Sequence, residues 1–205
     1  MNRLAILGAS GHGKVVADAA ESSGWREVVF FDDAWPSLLQ NAHWAIVGDT
    51  AALIDQISNF DGVIVAIGNN KIRQEKLAML EHFNAPMPVI LHPSAQVSRY
   101  ARLGEGTVVF ASAVVNADTA VGAGCIINTG AVVEHDCELG ACVHVSPNAS
   151  LAGGVRVGDR SWVGLGVCVK QLLTIGKDTV IGMGAVVTRN IPNDVVATGN
   201  PARRR

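Results

Sequence analysis

The sequence predicts a Rossmann-like α/β parallel sheet over residues 1–90, a parallel β-helix over residues 91–190, and a C-terminal tail over residues 191–205. Two observations carry this reading. Every sixth residue from Leu91 to Val187 is Leu, Ile or Val, without a break. A period of six suits neither an α-helix nor a simple strand; it is the hexapeptide signature of a parallel β-helix, in which three hexapeptides close one triangular coil. The preceding segment instead alternates short apolar runs with helical spacing, the pattern of a parallel sheet with right-handed crossovers.

Taken in order, Leu4–Leu7 reads as the first strand and ends in a glycine-rich turn from Gly8 to Gly13. Lys14–Ser23 has helical spacing through Val15, Val16, Ala19 and Ala20. Val28–Phe31 reads as a second strand ending at Asp32-Asp33, and Trp44–Val47 as a third. Ala51–Ile57 reads as a short helix, Val63–Ile67 as the fourth strand and Asn70–His82 as another helix. Pro86–Pro88 then leads into the repeat, which places the boundary near residue 90. Within the repeat, the residue four places after each aliphatic one should also face inward, into a narrower space. From Ala95 to Ala185 these positions are small or of moderate size, with Leu173 the one bulky member. Cys125 and Cys137 belong to this set and read as core residues, not nucleophiles. Glycine follows the aliphatic residue at Gly122, Gly140 and several other rungs, where tight turns need it.

At 205 residues the chain can bury a sizeable core. Its net charge of −2 favours neither nucleic acid nor an anionic membrane surface as partner. The basic end Arg203–Arg205 reads as a solvated terminus. The four cysteines show no CxxC spacing, which argues against a metal site or a disulfide framework and makes a reducing cytoplasm the expected compartment. The N-terminus has no secretory h-region. The apolar stretch Thr107–Val133 is interrupted by Asn116, Asp118 and Asn128, so a soluble protein without membrane insertion is expected.

A solenoid rung asks little of its outward positions beyond solubility, and one rung departs from that. Glu134-His135-Asp136 sets an imidazole between two carboxylates on an outward turn. A carboxylate can hold one ring nitrogen protonated and leave the other free to accept a proton, which suits a general base; the same residues also fit a polar surface turn. His144 lies one and a half hexapeptides on, either in the same groove or covering a coil edge. In the first unit, Ser10, Gly11, His12 and Gly13 form a strand-to-helix turn whose backbone N–H groups can meet a phosphate. Ser10 stands where the dinucleotide fingerprint GxGxxG needs its second glycine, and this weakens an NAD reading. Asp32 and Asp33 at one strand end, with Gly68 and Asn69 at another, complete a nucleotide-site pattern.

Taken together, Gly8 to Gly13, Phe31-Asp32-Asp33, Ala66 to Arg73, Asn128-Thr129, Glu134-His135-Asp136, His144 to Ser146 and Gly199 to Ala202 resemble the sialic acid O-acetyltransferase-like branch of hexapeptide acyltransferases. Within that branch the likeness is to the nucleotide amino-sugar N-acetyltransferases of bacillosamine biosynthesis. The resemblance covers essentially the whole chain. It implies a left-handed β-helix, a homotrimer, and acetyl-CoA as co-substrate in the groove between neighbouring β-helices. The acceptor it implies is a UDP-4-amino-4,6-dideoxy-sugar, with the small N-terminal domain holding its UDP part. The catalytic histidine falls on His135 and its partner acid on Asp136 or Glu134; Asp136 stands where the family carries Glu. His144 falls on a histidine that contacts or orients the acetyl donor. Backbone around Gly153, Leu165 and Met183 would line the pantetheine path, and Pro201-Ala202 would face the adenine end. Ser10, Asp32, Asp33 and Asn69 would face the nucleotide sugar. No metal and no covalent acyl-enzyme are implied. A GDP-4-amino-sugar or an O-acetyl acceptor such as sialic acid is the nearest alternative, and a non-catalytic scaffold or nucleotide sensor the more distant one.

Overall fold

The computed structural model describes residues 2–205. The first unit is a five-stranded sheet in the order β3-β4-β2-β1-β5, formed by β1 (Arg3–Leu7), β2 (Glu27–Phe31), β3 (Gln40–Asn41), β4 (Trp44–Gly48) and β5 (Gly62–Val65). All neighbours pair in parallel except β3 with β4, a small antiparallel hairpin that the hydropathy pattern does not announce. The helices are α1 (Gly11–Ser22), α2 (Thr50–Asp55) and α3 (Asn70–His82). Helix α1 begins three residues before its expected start, so Gly11, His12 and Gly13 form its first turn. Asp49 caps α2 by accepting from the Ala52 N–H at 2.8 Å, and Asn69 caps α3 by accepting from Lys71 and Ile72 at 3.1 and 3.2 Å.

From Ile90 to Val169 the chain winds through two-residue strands that each pair in parallel with the strand 18 residues ahead. Three flat faces result, which we call first, second and third in chain order. The first face runs through Ile90, Val108, Ile126, His144, Trp162 and Val180, the second through Val114 and Val132, and the third through Ala120 and Glu138. The aliphatic series points inward: Val109, Val115, Ile127, Val133 and Val145 are fully buried. Leu91 is the most exposed member at 38%, because no coil lies beneath it, and Val97 and Leu103 of the same first coil are partly buried. The second inward set is buried from Thr107 to Val167, with Ala95, Ala101 and Leu173 partly buried, and its polar members bond corner carbonyls of the next coil. Thr107 Oγ1 donates to Gly122 O at 2.9 Å, Thr119 Oγ1 to Glu134 O at 2.8 Å and Ser161 Oγ to Gly176 O at 2.6 Å. Cys125 and Cys137 follow the same rule, and burial pushes the Cys125 thiol up to about 12.

The segment read as a tail carries more order than a tail. Val196–Thr198 joins the first face beside Val180–Ile181, and Arg203–Arg204 returns antiparallel to it. Arg203 and Arg204 form the edge strand of that sheet, and their side chains are exposed, as a solvated terminus would have them.

The two units share a core. Apolar residues of α1 (Val16, Ala17, Ala19, Ala20) pack with Ile90, Val108, Phe110 and Ile126 of the first face. Helix α3 lies on the corner between the third and first faces, where Asn70 Nδ2 donates to Arg160 O at 2.8 Å and Arg160 Nη1 to Gln74 Oε1 at 2.9 Å. Arg160 also forms an ion pair with Asp178. No helix among the described residues is long and apolar enough to cross a membrane.

Candidate functional site

The expected site residues fall into three zones. At the corner between the second and third faces, Asp136 adopts φ +59°, which turns the chain outward and leaves His135 exposed. His135 Nδ1 and Asp136 Oδ2 are 2.7 Å apart. The carboxylate accepts from Nδ1–H, an assignment made from the hydrogen-bond geometry, and so leaves Nε2 free as a base. That bond, then the negative charges of Asp136 and Glu134, raises the His135 pKa. Glu134 is otherwise engaged, since its Oε2 accepts from Asn116 Nδ2 at 2.9 Å. The imidazole lies over Gly153, where a Cβ would stand 2.5 Å from Cε1 and 2.6 Å from Nε2. Gly154 N–H is spent on the His135 carbonyl at 2.9 Å. Beside this corner a groove of about 1010 Å³ runs along the third face past Asp136, Glu138, Gly154, Arg156 and Leu172.

The second zone is a cavity of about 610 Å³ between the units, lined by Gly68, Asn69, Lys71, His144, Trp162 and Val180 among others. His144 stacks on Trp162 with ring centroids 6.0 Å apart and planes at 15°. Its Nε2 lies 3.0 Å from Asn128 Nδ2. Accepting there leaves the proton on Nδ1. Burial, and next the charge of Arg73, pushes the His144 pKa down to about 3, so the ring is neutral at physiological pH. Trp162 Nε1 donates to Ser146 Oγ at 2.6 Å. Asn69 borders this cavity, but its side-chain oxygen is taken by the α3 cap.

The third zone is a cleft of about 220 Å³ at the carboxyl ends of β1, β2 and β5, where open α/β sheets bind ligands. It brings together Ser10, Asp32, Asp33 and Gly68, and adds Lys76, which sequence reasoning missed. Asp32 braces the turn by accepting from Ala9 N–H at 2.7 Å and Ala34 N–H at 2.9 Å. Asp33 accepts from Thr50 N–H at 3.0 Å and pairs with Lys76 Nζ at 3.2 Å. Hydrogen bonding to Thr50, with Lys76 a smaller influence, holds its carboxyl below the ordinary range.

Gly11, His12 and Gly13 do not line that cleft. A Cβ on Gly13 would come within 2.5 Å of Gly8 O and 2.9 Å of Phe30, so this glycine lets α1 approach β1 and β2. Gly11 faces open space. His12 turns toward the solenoid, edge-on to Phe110 at 5.6 Å, with Nε2 buried and unpartnered. Burial and the Arg73 charge lower its pKa to about 4. Ala202 is likewise no surface residue: it is 1% exposed and donates its N–H to Val186 O. Leu165 and Met183 stand exposed, one coil apart on the corner between the first and second faces. Pro201 follows one coil further and is also exposed. Gly153 occupies a different corner.

His135 and His144 do not share a groove within one chain. A coil takes 18 residues, so the nine positions between the two histidines are half a coil. They put His135 on a corner and His144 on the face opposite it. Among the described residues no group of three or more His, Cys, Asp or Glu stands in a metal-binding arrangement.

Residues 3–80 match the PglD N-terminal domain family. The chain is 38% identical over 114 residues to UDP-N-acetylbacillosamine N-acetyltransferase of Bacillus subtilis. That stretch is 54% of this chain and only about half, 52%, of the relative. Among solved structures, the acetyltransferase domain of PglB from Neisseria gonorrhoeae with acetyl coenzyme A is 40% identical over 100% of both chains, with a TM-score of 0.96. A histidine mutant of perosamine N-acetyltransferase from Caulobacter crescentus, with CoA and GDP-perosamine, is 39% identical over 100% of this chain and 97% of that one, with a TM-score of 0.95.

Proposed function

Because this chain belongs to the sugar N-acetyltransferases that carry a PglD N-terminal domain, we propose that it moves the acetyl group of acetyl-CoA onto the 4-amino group of a UDP-4-amino-4,6-dideoxy-sugar. The observation that carries this reading is the His135–Asp136 couple, an exposed imidazole whose Nδ1 is held at 2.7 Å and whose Nε2 is free. The amine nitrogen attacks the thioester carbonyl, a new C–N bond forms and the C–S bond breaks. The nitrogen's surplus proton passes to His135 Nε2, and the imidazolium returns it to the departing thiolate, which leaves as CoA. Base catalysis of this kind contributes on the order of 10²–10⁴ in rate. The thioester is already activated, so the step calls for no metal and no acyl-enzyme. The Gly153 N–H and the Nδ1–H of neutral His144 are the donors available to a carbonyl oxygen that gains charge.

Residues 1–90 would hold the nucleotide sugar through the strand-end cleft, with Asp33 and Lys76 at its rim. Residues 91–190 would hold acetyl-CoA, with Leu165, Met183 and Pro201 along its path. The solenoid is left-handed in this reading and the enzyme a cytoplasmic homotrimer. The trimer reading is supported by the placement of His135 and His144: two neighbouring copies can bring one of each to a shared groove, which a single copy does not. The bacillosamine enzyme of B. subtilis supports UDP. The Caulobacter complex, aligned over the full length, supports a GDP-4-amino-sugar as the second reading. Mass spectrometry of acetyl-CoA reactions with UDP- and GDP-linked 4-amino-sugars decides between them. A one-acetyl gain on the UDP sugar alone is expected; gain only on the GDP sugar moves the acceptor, and no gain on either rejects the N-acetyltransferase reading.

A further inference from the structure

Arg73 of α3 is 1% exposed and is the largest of the fully buried side chains. Its guanidinium meets no carboxylate; five neutral oxygens surround it instead. Nε donates to Gly124 O at 2.7 Å, Nη1 to Ile67 O at 2.9 Å and Gly68 O at 3.3 Å, and Nη2 to Asn70 Oδ1 and Cys142 O, both at 2.8 Å. The ionisable groups nearby do not neutralise it. Burial raises the Cys125 and Cys142 thiols, while His12 and His144 are driven toward the neutral form by burial first and by Arg73 itself next. A buried cation without a counter-ion is an expensive way to join two surfaces, and apolar side chains of similar volume commonly do it as well or better.

The acceptors identify what is joined. Ile67 and Gly68 wall the strand-end cleft, and Gly68 also walls the cavity that contains His144. Gly124 and Cys142 are equivalent corners of successive coils, and Cys142 precedes His144 by two residues. Asn70 extends the same clamp, since its Nδ2 donates to the carbonyls of Arg160 and Ser161.

We propose that Arg73 is a positioning residue for the transfer reaction: its guanidinium fork locks the Ile67–Asn70 turn to the coil corners at Gly124 and Cys142, so that the wall of the nucleoside-diphosphate cleft and His144 keep one fixed relation. This rests on the acetyltransferase reading above. An ammonium in the same place keeps the charge but cannot reach five divergent acceptors.

Two variants of the full chain test it. Arg73→Lys keeps the charge and loses the fork, and Asn70→Ala removes one acceptor and the two bonds to Arg160 and Ser161. KM for each substrate and kcat are measured alongside calorimetric binding of UDP and of GDP without acetyl-CoA. In both variants KM for the nucleotide amino sugar is expected to rise about tenfold or more, while KM for acetyl-CoA stays within about threefold. Affinity for the nucleotide that the wild type binds is expected to weaken in parallel. Folded variants whose sugar KM and nucleotide affinity stay within about twofold of wild type overturn the proposal. So does a uniform loss of both substrates together with the thermal midpoint, which marks a merely structural role. Should Arg73→Lys not fold, Asn70→Ala decides by the same criteria. A wild type that acetylates no sugar in the panel rejects the acetyltransferase reading, and the nucleotide affinities of the variants then decide the clamp alone. A wild type that binds neither nucleotide removes the cleft and the proposal together.

Discussion

At the scale of single residues, the two histidines are tuned in opposite directions by ordinary causes. His135 is exposed and its protonated form is favoured by Asp136, whereas His144 is enclosed and its neutral form is favoured by burial and by Arg73. A general base with a raised pKa is a stronger base but is occupied by a proton over a wider acidic range. Asp136→Asn is the informative substitution, because Asn tolerates the left-handed backbone that Asp136 adopts. Removing the carboxylate lowers the His135 pKa, so the acidic limb of the kcat–pH profile is expected to move to lower pH. At its plateau kcat is expected to fall by about tenfold or more, since nothing then holds the proton on Nδ1. Glu134→Gln should leave the limb nearly in place, because that carboxylate bonds Asn116 and touches His135 only through its field. A limb that stays put in Asp136→Asn and moves in Glu134→Gln reverses the assignment of the partner acid.

At the scale of elements, the corner that presents His135 is built on the coil beneath it. Gly153 has no side chain, and the imidazole occupies the space a Cβ would take. Gly153→Ala meets little else, because the nearest atoms to that Cβ are those of an exposed ring. The expected result is a thermal midpoint within a few degrees of wild type and a kcat lowered by about tenfold or more, as the ring is pushed off its position. Unchanged kcat shows that the imidazole works from another rotamer. The legibility of these elements in the sequence follows their physics. A repeat of six brings two positions of each rung inward, one aliphatic and one narrow, so the solenoid and its second set are plain, and Cys125 and Cys137 fall in it correctly. Leu91 follows the pattern but is exposed, because periodicity does not say where stacking stops. The hairpin of Gln40–Asn41 has two polar residues and no alternation to read. Glycines that look like a phosphate turn proved partly to serve packing, as Gly13 does against Gly8 and Phe30. Arg73 and Lys76 look like a solvated helix face in one dimension; only the docking of α3 on the coil corner buries the first, and the second reaches Asp33 and the cleft.

At the scale of the whole molecule, coil arithmetic constrains assembly. One face lies opposite each corner of a triangular coil, so His135 and His144 point away from each other in one chain. Leu172 and Met183 project apolar side chains at two different corners with 79% and 78% exposure, surface of the kind that partner copies and bound ligands cover. If each catalytic groove in a trimer takes His135 from one copy and His144 from its neighbour, two inactive variants can rescue each other. His135→Ala and His144→Ala chains, each expected to keep less than about one hundredth of wild-type kcat, are unfolded together at equal amounts and refolded. Random mixing gives each groove one chance in four of receiving both histidines, so about one quarter of wild-type activity should return. Native mass spectra count the mixed trimers in the same sample. Mixed trimers without recovered activity place both histidines' work within one copy, and the groove between copies is then not where the acetyl group moves.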